Sequence, residues 1–310
     1  MSTILESIFS PDFGFVILRV TTPLLFASLG VAVSALSGTI NIGLEGIMLV
    51  SAFTGVMVSA FTRSLLLALI AGVAAGVLLG MILAYFHLYL KTDVIIGAIA
   101  LNFFASGITI FLLFLFTGDK GTSSSLRSLV FPEISIPILN KIPILGRIAS
   151  GHNVLTYFAL LSVLIYFILI YKTPLGLRIR AVGQNPEAAE SVGINVNHIK
   201  IYALLLSGFF GAFGGLYLAM GYVSWFSRDM TAGRGFIAIA ASTLGSHMPL
   251  RTLLGSLLFG SVSAFSIYIS SLEVPSDLIQ LIPYAVTVIV LTIYSGRVFS
   301  GKIKKPKELI

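Results

Sequence analysis

Long apolar runs follow one another along almost the whole chain and are separated by polar connections. A helix rising about 1.5 Å per residue crosses about 30 Å of hydrocarbon with roughly 20 such residues. The pattern predicts spanning segments at 14–36, 40–61, 64–90, 94–117, 153–171, 199–220, 235–250, 252–271 and 277–296. The segment 235–250 is short and is interrupted by Gly245 and Pro249. We therefore expect a partial or re-entrant helix there.

Composition supports this pattern. The chain has 310 residues, of which 57% are hydrophobic and only 10% are charged, and its mean hydropathy is +1.03. A soluble domain carries about 25% charged residues. We predict an all-α polytopic membrane protein with about 8–10 transmembrane helices, some broken or re-entrant, forming one domain over residues 1–310. Glu6 and Asp12, with no cation, precede the first apolar run, which we interpret as a retained span and not a cleaved signal.

Charge indicates the orientation. The net charge is +7, and basic residues cluster in the connection 172–200 and in the tail 297–310. The positive-inside rule places both segments in the cytoplasm. The connection 118–152 also carries cations, but they are spread over a long loop, and nine full spans would place it and the N-terminus outside. One re-entrant segment or one further helix would reverse the side of the N-terminus. We interpret the cations as topology determinants and not as a nucleic-acid surface.

Several chemistries are excluded. The chain contains no Cys, and its four His stand far apart, without metal-ligand spacing. The stretch Gly296–Lys302 (GRVFSGK) matches part of a phosphate-binding loop, but Ile303 stands where a Ser or Thr should hold Mg²⁺. We expect no catalytic residue, metal or cofactor on this chain.

One polar motif interrupts the second apolar run. The stretch INIGLEGIML carries Asn41 and Glu45, and insertion of an ionisable side chain costs about 2.5–3.5 kcal/mol. Gly43 and Gly46 would loosen the helix and permit a break that lines a cavity. Residues four apart on a helix share a face, so we expect Asn41 and Glu45 to line a translocation path together. Alternatively, Glu45 bonds backbone N–H groups at a broken helix or pairs with Arg234.

Other candidates for the path lie on later segments. Asn102, in ALNFFASGIT, is a second amide inside a span, and Phe236 could supply an aromatic wall together with Phe103 and Phe104. Hydroxyls of a polar solute need donors and acceptors, and a ring needs an apolar wall. Arg234 remains open between a helix cap, an anchor at the headgroups and an ion pair with Glu45.

A short helix is predicted within the connection 172–200. Asn185 is a suitable N-cap, Pro186 suits the first helical position, and Glu187 favours the positive end of the helix dipole. Ala188 and Ala189 continue the helix, and Gly193 can close it in the left-handed conformation. An isolated helix of about two turns is marginal in water, so we expect a cytoplasmic partner to bind it.

The connection 118–152 is rich in proline, including Pro132, Pro137 and Pro143 among apolar residues. Proline at this density cannot continue a helix, so we expect an ordered extended loop or short interfacial helices. Such a loop is either a passive connector or a docking surface.

These motifs together carry a resemblance. The stretch AVGQNPEAAESVGI resembles the coupling loop of ABC-importer permeases. The stretches NIGLEGIML, MTAGRGFIAIAA and IPILNKIPILG resemble the nucleoside and simple-sugar branch, which belongs with the ribose and branched-chain amino acid permeases. The resemblance covers nearly the full chain.

The resemblance implies half of a two-permease pore in the plasma membrane of a bacterium. Its partners would be a second homologous permease, cytoplasmic subunits that bind and hydrolyse ATP, and an extracytoplasmic solute-binding protein, commonly a lipoprotein. Nucleosides are the expected solutes, with simple sugars as the alternative. Two rivals remain: an ion-coupled secondary transporter, in which the intramembrane carboxylate serves protons or Na⁺, and a membrane-embedded enzyme.

Overall fold

The structure, a computed structural model, describes residues 11–136, 143–269 and 276–299. In this part of the chain there are twelve helices: α1 Pro11–Leu36, α2 Leu44–Thr62, α3 Leu65–Leu88, α4 Val94–Thr117, α5 Pro143–Ala149, α6 Val154–Lys172, α7 Pro174–Gln184, α8 Pro186–Ser191, α9 Val196–Met220, α10 Arg234–Leu244, α11 Pro249–Ile269 and α12 Ser276–Phe299. Two short strands, β1 Glu133–Ile134 and β2 His152–Asn153, pair antiparallel.

The helices confirm an all-α polytopic membrane protein. Among the described residues, seven helices are long and apolar enough to cross a membrane, namely α1, α2, α3, α4, α6, α9 and α11. They correspond to seven of the predicted spans, and α12 corresponds to the last one. The remaining predicted span, 235–250, contains α10, which has only 11 residues and is too short to cross alone.

Close packing of small residues assembles the centre of the bundle. Helix α9 packs against α1, α2 and α3. A Cβ added at Gly76 of α3 would lie 3.0 Å from the Gly208 carbonyl oxygen, and one at Gly208 would lie 2.5 Å from the Gly76 carbonyl oxygen. Only glycine permits this approach, so Gly76 and Gly208 form a helix-packing surface.

Helix α10 runs from inside the bundle toward one end. It packs between α1 and α11, where Leu24, Ile237 and Phe259 belong to one buried cluster. After α10 the chain turns, and the carbonyl of His247 accepts a hydrogen bond at 2.6 Å from Tyr166, near the end of α6. This end of the bundle, where α7 and α8 also lie, is called the α8 end below, and the opposite end is called the α5 end.

An ordered layer covers the α5 end. The backbone N–H groups of Ser123 and Ser128 donate to the carbonyls of Phe226 and Ser224 at 2.8 and 2.7 Å. The Asn153 side chain donates to the Phe131 carbonyl at 2.7 Å. The described part of the Pro-rich connection is therefore an ordered loop with a short helix, α5, as predicted; Pro137 lies outside the described residues.

Candidate translocation and coupling sites

The chain between α1 and α2 breaks inside the bundle. Helix α1 ends at Leu36 and α2 begins at Leu44. Asn41, in the break, donates to the Ser207 hydroxyl at 3.0 Å. Ser207 lies eleven residues into the 25-residue helix α9, so the break reaches between a third and a half of the way across the bundle.

Asn41 is fully buried and holds this break in place. Its side-chain oxygen accepts from the Gly43 N–H at 2.9 Å, and its own N–H donates to the Ser34 hydroxyl at 3.1 Å. Because Gly43 is the N-cap and α2 begins after it, Asn41 lies outside the helix. The prediction that Asn41 and Glu45 share one helical face is therefore wrong.

Asn102, on α4, bonds the backbone at the start of α2. Its side-chain oxygen accepts from the Gly46 N–H at 2.8 Å, and its amide nitrogen donates to the Ile42 carbonyl at 3.1 Å. The Gly46 N–H lies in the first helical turn, where backbone donors have no partner within the helix. Asn102 thus satisfies backbone groups that the break leaves unpaired.

Glu45 joins the start of α2 to the start of α10. One carboxylate oxygen accepts from the Gly233 N–H and the other from the Gly235 N–H, both at 2.7 Å. Gly233 is the N-cap of α10 and has φ +72°. A carboxylate is favourable here because the N-terminus of a helix carries unpaired N–H donors and a positive partial charge. The alternative that Glu45 bonds backbone N–H groups at a broken helix describes the observed contacts.

The approach of α10 to Glu45 requires glycine. A Cβ added at Gly235 would lie 2.6 Å from the Glu45 backbone nitrogen and 2.8 Å from its Cα. Real Cβ atoms do not approach backbone so closely, so a larger residue would push the two helices apart.

Arg234 holds the turn before α10. One of its terminal guanidinium nitrogens donates to the carbonyls of Met230 and Thr231, both at 3.1 Å. The Tyr284 hydroxyl donates to the Ala232 carbonyl in the same turn at 2.7 Å. Within the described ranges the one ion pair closer than 4.0 Å is Arg228–Asp229, so Glu45 does not pair with Arg234 at that distance. Arg234 therefore fixes the turn and does not cap α10, whose N-cap residue has no side-chain cap bond; a role as an anchor at the headgroups stays a prediction.

The predicted aromatic wall is exposed. Phe103 and Phe104 on α4 and Phe236 on α10 are 76%, 55% and 45% exposed. Exposed aromatic side chains on membrane helices contact lipid or another chain.

A pair that the sequence reasoning missed lies near the α5 end. The Arg19 guanidinium on α1 stacks over the Tyr222 ring, 3.4 Å from its centroid. The signal was present, because Arg19 is a cation within an apolar run.

The short helix predicted within the connection 172–200 is confirmed as α8. Asn185 is its N-cap and accepts from the Ala188 N–H at 3.0 Å, Pro186 occupies the first turn, and Gly193 follows with φ +84°. Glu187 lies in the first turn. Ala188 is exposed and Ala189 is buried, so one side of α8 packs on the protein and the other is free.

A metal centre is not formed in the part of the chain that the structure describes, where no three His, Cys, Asp or Glu side chains group together. The polar contacts of Asn41, Glu45 and Asn102 instead connect helix ends. The arrangement can orient helices and line a passage; it does not assemble a nucleophile with a general base.

Comparison with known proteins shows the family. The model of the branched-chain amino acid transport system/permease component family matches residues 15–291. The guanosine ABC transporter permease NupQ of Bacillus subtilis is 35% identical over 293 residues, 90% of this chain and 91% of that protein. The nucleoside ABC transporter permease NupC of Lactococcus lactis is 33% identical over 293 residues, 91% of this chain and 92% of that protein.

A solved structure shares the fold. A chain from an inward-facing conformation of an ABC transporter is 17% identical and superposes with a TM-score of 0.54, covering 90% of this chain and 84% of that chain. The length of the family match and the identity to two full-length permeases lead to one conclusion. This chain belongs to the branched-chain amino acid transport permease family and is a multi-pass transport component of ABC-transporter type.

Proposed function

We propose that this chain is the membrane-spanning subunit of an ATP-driven importer of nucleosides. The observation that carries the proposal is its alignment, over about nine-tenths of both chains, with permeases named for guanosine and for nucleosides. In this proposal a second homologous permease supplies the other half of the pore.

The solute would pass beside the junction of α2 and α10. Asn102 and Glu45 are half-buried there, and Phe236, in the first turn of α10, is exposed. Each oxygen of Glu45 already accepts one backbone N–H group, which uses about half of the four acceptor sites of the carboxylate. We therefore assign Glu45 the role of fixing α10, and we assign solute contact to the exposed side chains of α4 and α10. Asn41 is fully buried and supports the break.

An ATP-binding subunit would dock on α8 from the cytoplasm. The exposed side of α8 offers Ala188 and Glu190, and the exposed Val192 follows it. In this arrangement the partner hydrolyses ATP, this chain binds no cofactor, and the C-terminal tail lies on the same cytoplasmic side. The layer at the α5 end, fixed by its bonds to residues 221–228, would receive a solute-binding lipoprotein outside the plasma membrane of a bacterium.

The proposal is tested by transport in proteoliposomes. The chain is purified with the proteins that associate with it, reconstituted, and supplied with ATP and labelled guanosine or ribose. We expect ATP-dependent guanosine uptake. Uptake of ribose without uptake of guanosine would show a sugar importer. Uptake by this chain without its partners, driven by an ion gradient, would show a secondary transporter instead.

Coupling through α8 is tested with Ala188→Arg, which places a long cation on the exposed side of the helix. Because Ala188 is exposed, we expect normal assembly of the permease but loss of solute-stimulated ATP hydrolysis and of uptake. Ala188→Ser, which adds no charge and little volume at the same exposed position, is the matched control. If both variants transport the solute equally well, α8 is not part of the surface that docks the ATP-binding subunit.

A further inference from the structure

A cavity near the α5 end contains two guanidinium groups. Its volume is about 300 Å³, and α1, α9, α10 and α11 contribute to its wall. Its polar lining is Arg19, Tyr222 and Arg234, and the rest is aliphatic, including Val16 and Leu218. This volume is at the lower end of ligand-binding cavities, about 300–1,000 Å³.

Arg19 lies against an aromatic ring. Its guanidinium stacks over Tyr222, 3.4 Å from the ring centroid, and no carboxylate whose side chain the structure describes lies within 4.0 Å of it. Stacking on a ring stabilises the cation but leaves the N–H donors at the rim of the guanidinium plane available. A half-buried cation within an apolar run is costly, so two guanidinium groups at one cavity favour an anion there.

Arg234 adds a second positive charge to the same cavity. Its bonds to the Met230 and Thr231 carbonyls use one terminal nitrogen. The carboxylate of Glu45 accepts hydrogen bonds from two backbone N–H groups at the start of α10 and from neither arginine. Among the side chains that the structure describes here, two cations stand against one carboxylate that is already hydrogen-bonded, which is an excess of positive charge.

The cavity lies toward the α5 end of α1. Phe15, one helical turn before Arg19, stacks on His152 of β2 with 3.9 Å between ring centroids. Tyr222 lies two residues beyond the end of α9. Basic pockets between membrane helices bind lipid headgroups, and aliphatic walls beside arginine suit a phosphate that carries acyl chains.

We propose that Arg19, Tyr222 and Arg234 form a binding site for a phosphate-class anion, either the phosphodiester of an anionic phospholipid or free inorganic phosphate. Guanidinium groups recognise phosphate oxygens with paired, charge-assisted hydrogen bonds. The site stabilises the contact between α1 and the turn before α10, because both arginines bind the same anion.

The site is tested by native mass spectrometry of the purified full-length chain. One arm adds phosphatidylglycerol to protein in phosphatidylcholine, and the other adds inorganic phosphate without anionic lipid. We expect Arg19→Gln to weaken binding of the anion about tenfold or more, the loss of one charge-assisted contact. Binding in the first arm only identifies the lipid headgroup, and binding in the second arm identifies the free anion.

Arg63→Gln is the matched control, since Arg63 is an exposed cation at the end of α2 and lies outside the cavity. It should bind like the unchanged chain. Arg19→Lys keeps the positive charge but loses the planar set of N–H donors of the guanidinium, so we expect intermediate binding. The proposal is overturned if neither arm shows binding, or if Arg19→Gln and Arg63→Gln bind alike in both arms. Because binding is read without transport, these outcomes are independent of the solute.

Discussion

Replacing Glu45 with Gln keeps one of the two oxygens that hold α10 and exchanges the other for an NH₂ group. The carboxylate accepts from the Gly233 and Gly235 N–H groups at 2.7 Å each. A Gln side chain has almost the same shape but offers one acceptor, so its NH₂ group would face one of the two backbone donors. The variant therefore breaks the connection between α2 and α10 without leaving a cavity.

The expected loss follows from the bonds that change. A hydrogen bond to a charged group contributes about 1.5–3 kcal/mol, and one between neutral groups contributes about 0.5–1.5 kcal/mol. Losing one charged bond and weakening the other predicts a local destabilisation of about 2–4 kcal/mol. Loss of the carboxylate from a helix N-terminus adds about 0.3–1 kcal/mol in the same direction.

Hydrogen–deuterium exchange measures this loss where it occurs. We expect exchange in residues 229–240 to accelerate about 30- to 700-fold in Glu45→Gln, because local opening then costs about 2–4 kcal/mol less. Solute uptake should fall in parallel. Exchange in α8, which packs on α7 and α9, should not change.

Two further variants decide whether the reasoning is right. Gly235→Ala should produce a similar acceleration, because its Cβ would displace Glu45 by contact with the backbone. If Arg234→Gln rescues Glu45→Gln, an ion pair and not the backbone bonds holds α10. Unchanged exchange and normal uptake in Glu45→Gln would refute the role of the carboxylate altogether.

Three other predictions test the packing around this junction. Asn102→Leu leaves the Gly46 N–H and the Ile42 carbonyl unpaired, so we expect a loss of about 1–3 kcal/mol for each group, measured as a lower thermal unfolding temperature. Gly76→Leu should separate α3 from α9 and abolish folded protein on size-exclusion chromatography, whereas Gly107→Leu, whose added Cβ meets nothing within 4 Å, should not. Burial lowers the pKa of His152 below 6.5, against the raising effect of its hydrogen bond with Ile148. The unfolded chain then binds more protons, so stability is complete above pH 6.5 and falls below it; His152→Gln should flatten this dependence in unfolding scans.

Local signals predicted the elements that depend on neighbouring residues. Hydropathy over about 20 residues located the spans, since membrane crossing is decided within each segment. Cap chemistry located α8, because Asn185, Pro186 and Gly193 act on the backbone within a few residues of themselves.

Long-range contacts could not be predicted in this way. The sequence indicated a break near Gly43, but it did not reveal that Asn102 would bond its backbone or that Gly233 and Gly235 would meet Glu45. The expected shared face of Asn41 and Glu45 assumed a helix starting at residue 40, whereas the helix starts at Leu44. A helix that begins about one turn later leaves Asn41 outside it, so the two side chains do not share a helical face.

The short length of α10 has a consequence for how the chain is made. A segment of 11 residues cannot be held across a bilayer by lipid alone, and the bonds that fix its start come from Glu45, synthesised 188 residues before Gly233. Stable insertion of α10 therefore requires that the earlier helices, including the start of α2, have already folded. We expect the early half of the protein to act as a template for the late half, so that a defect near residue 45 is expressed as a failure to retain a segment near residue 240.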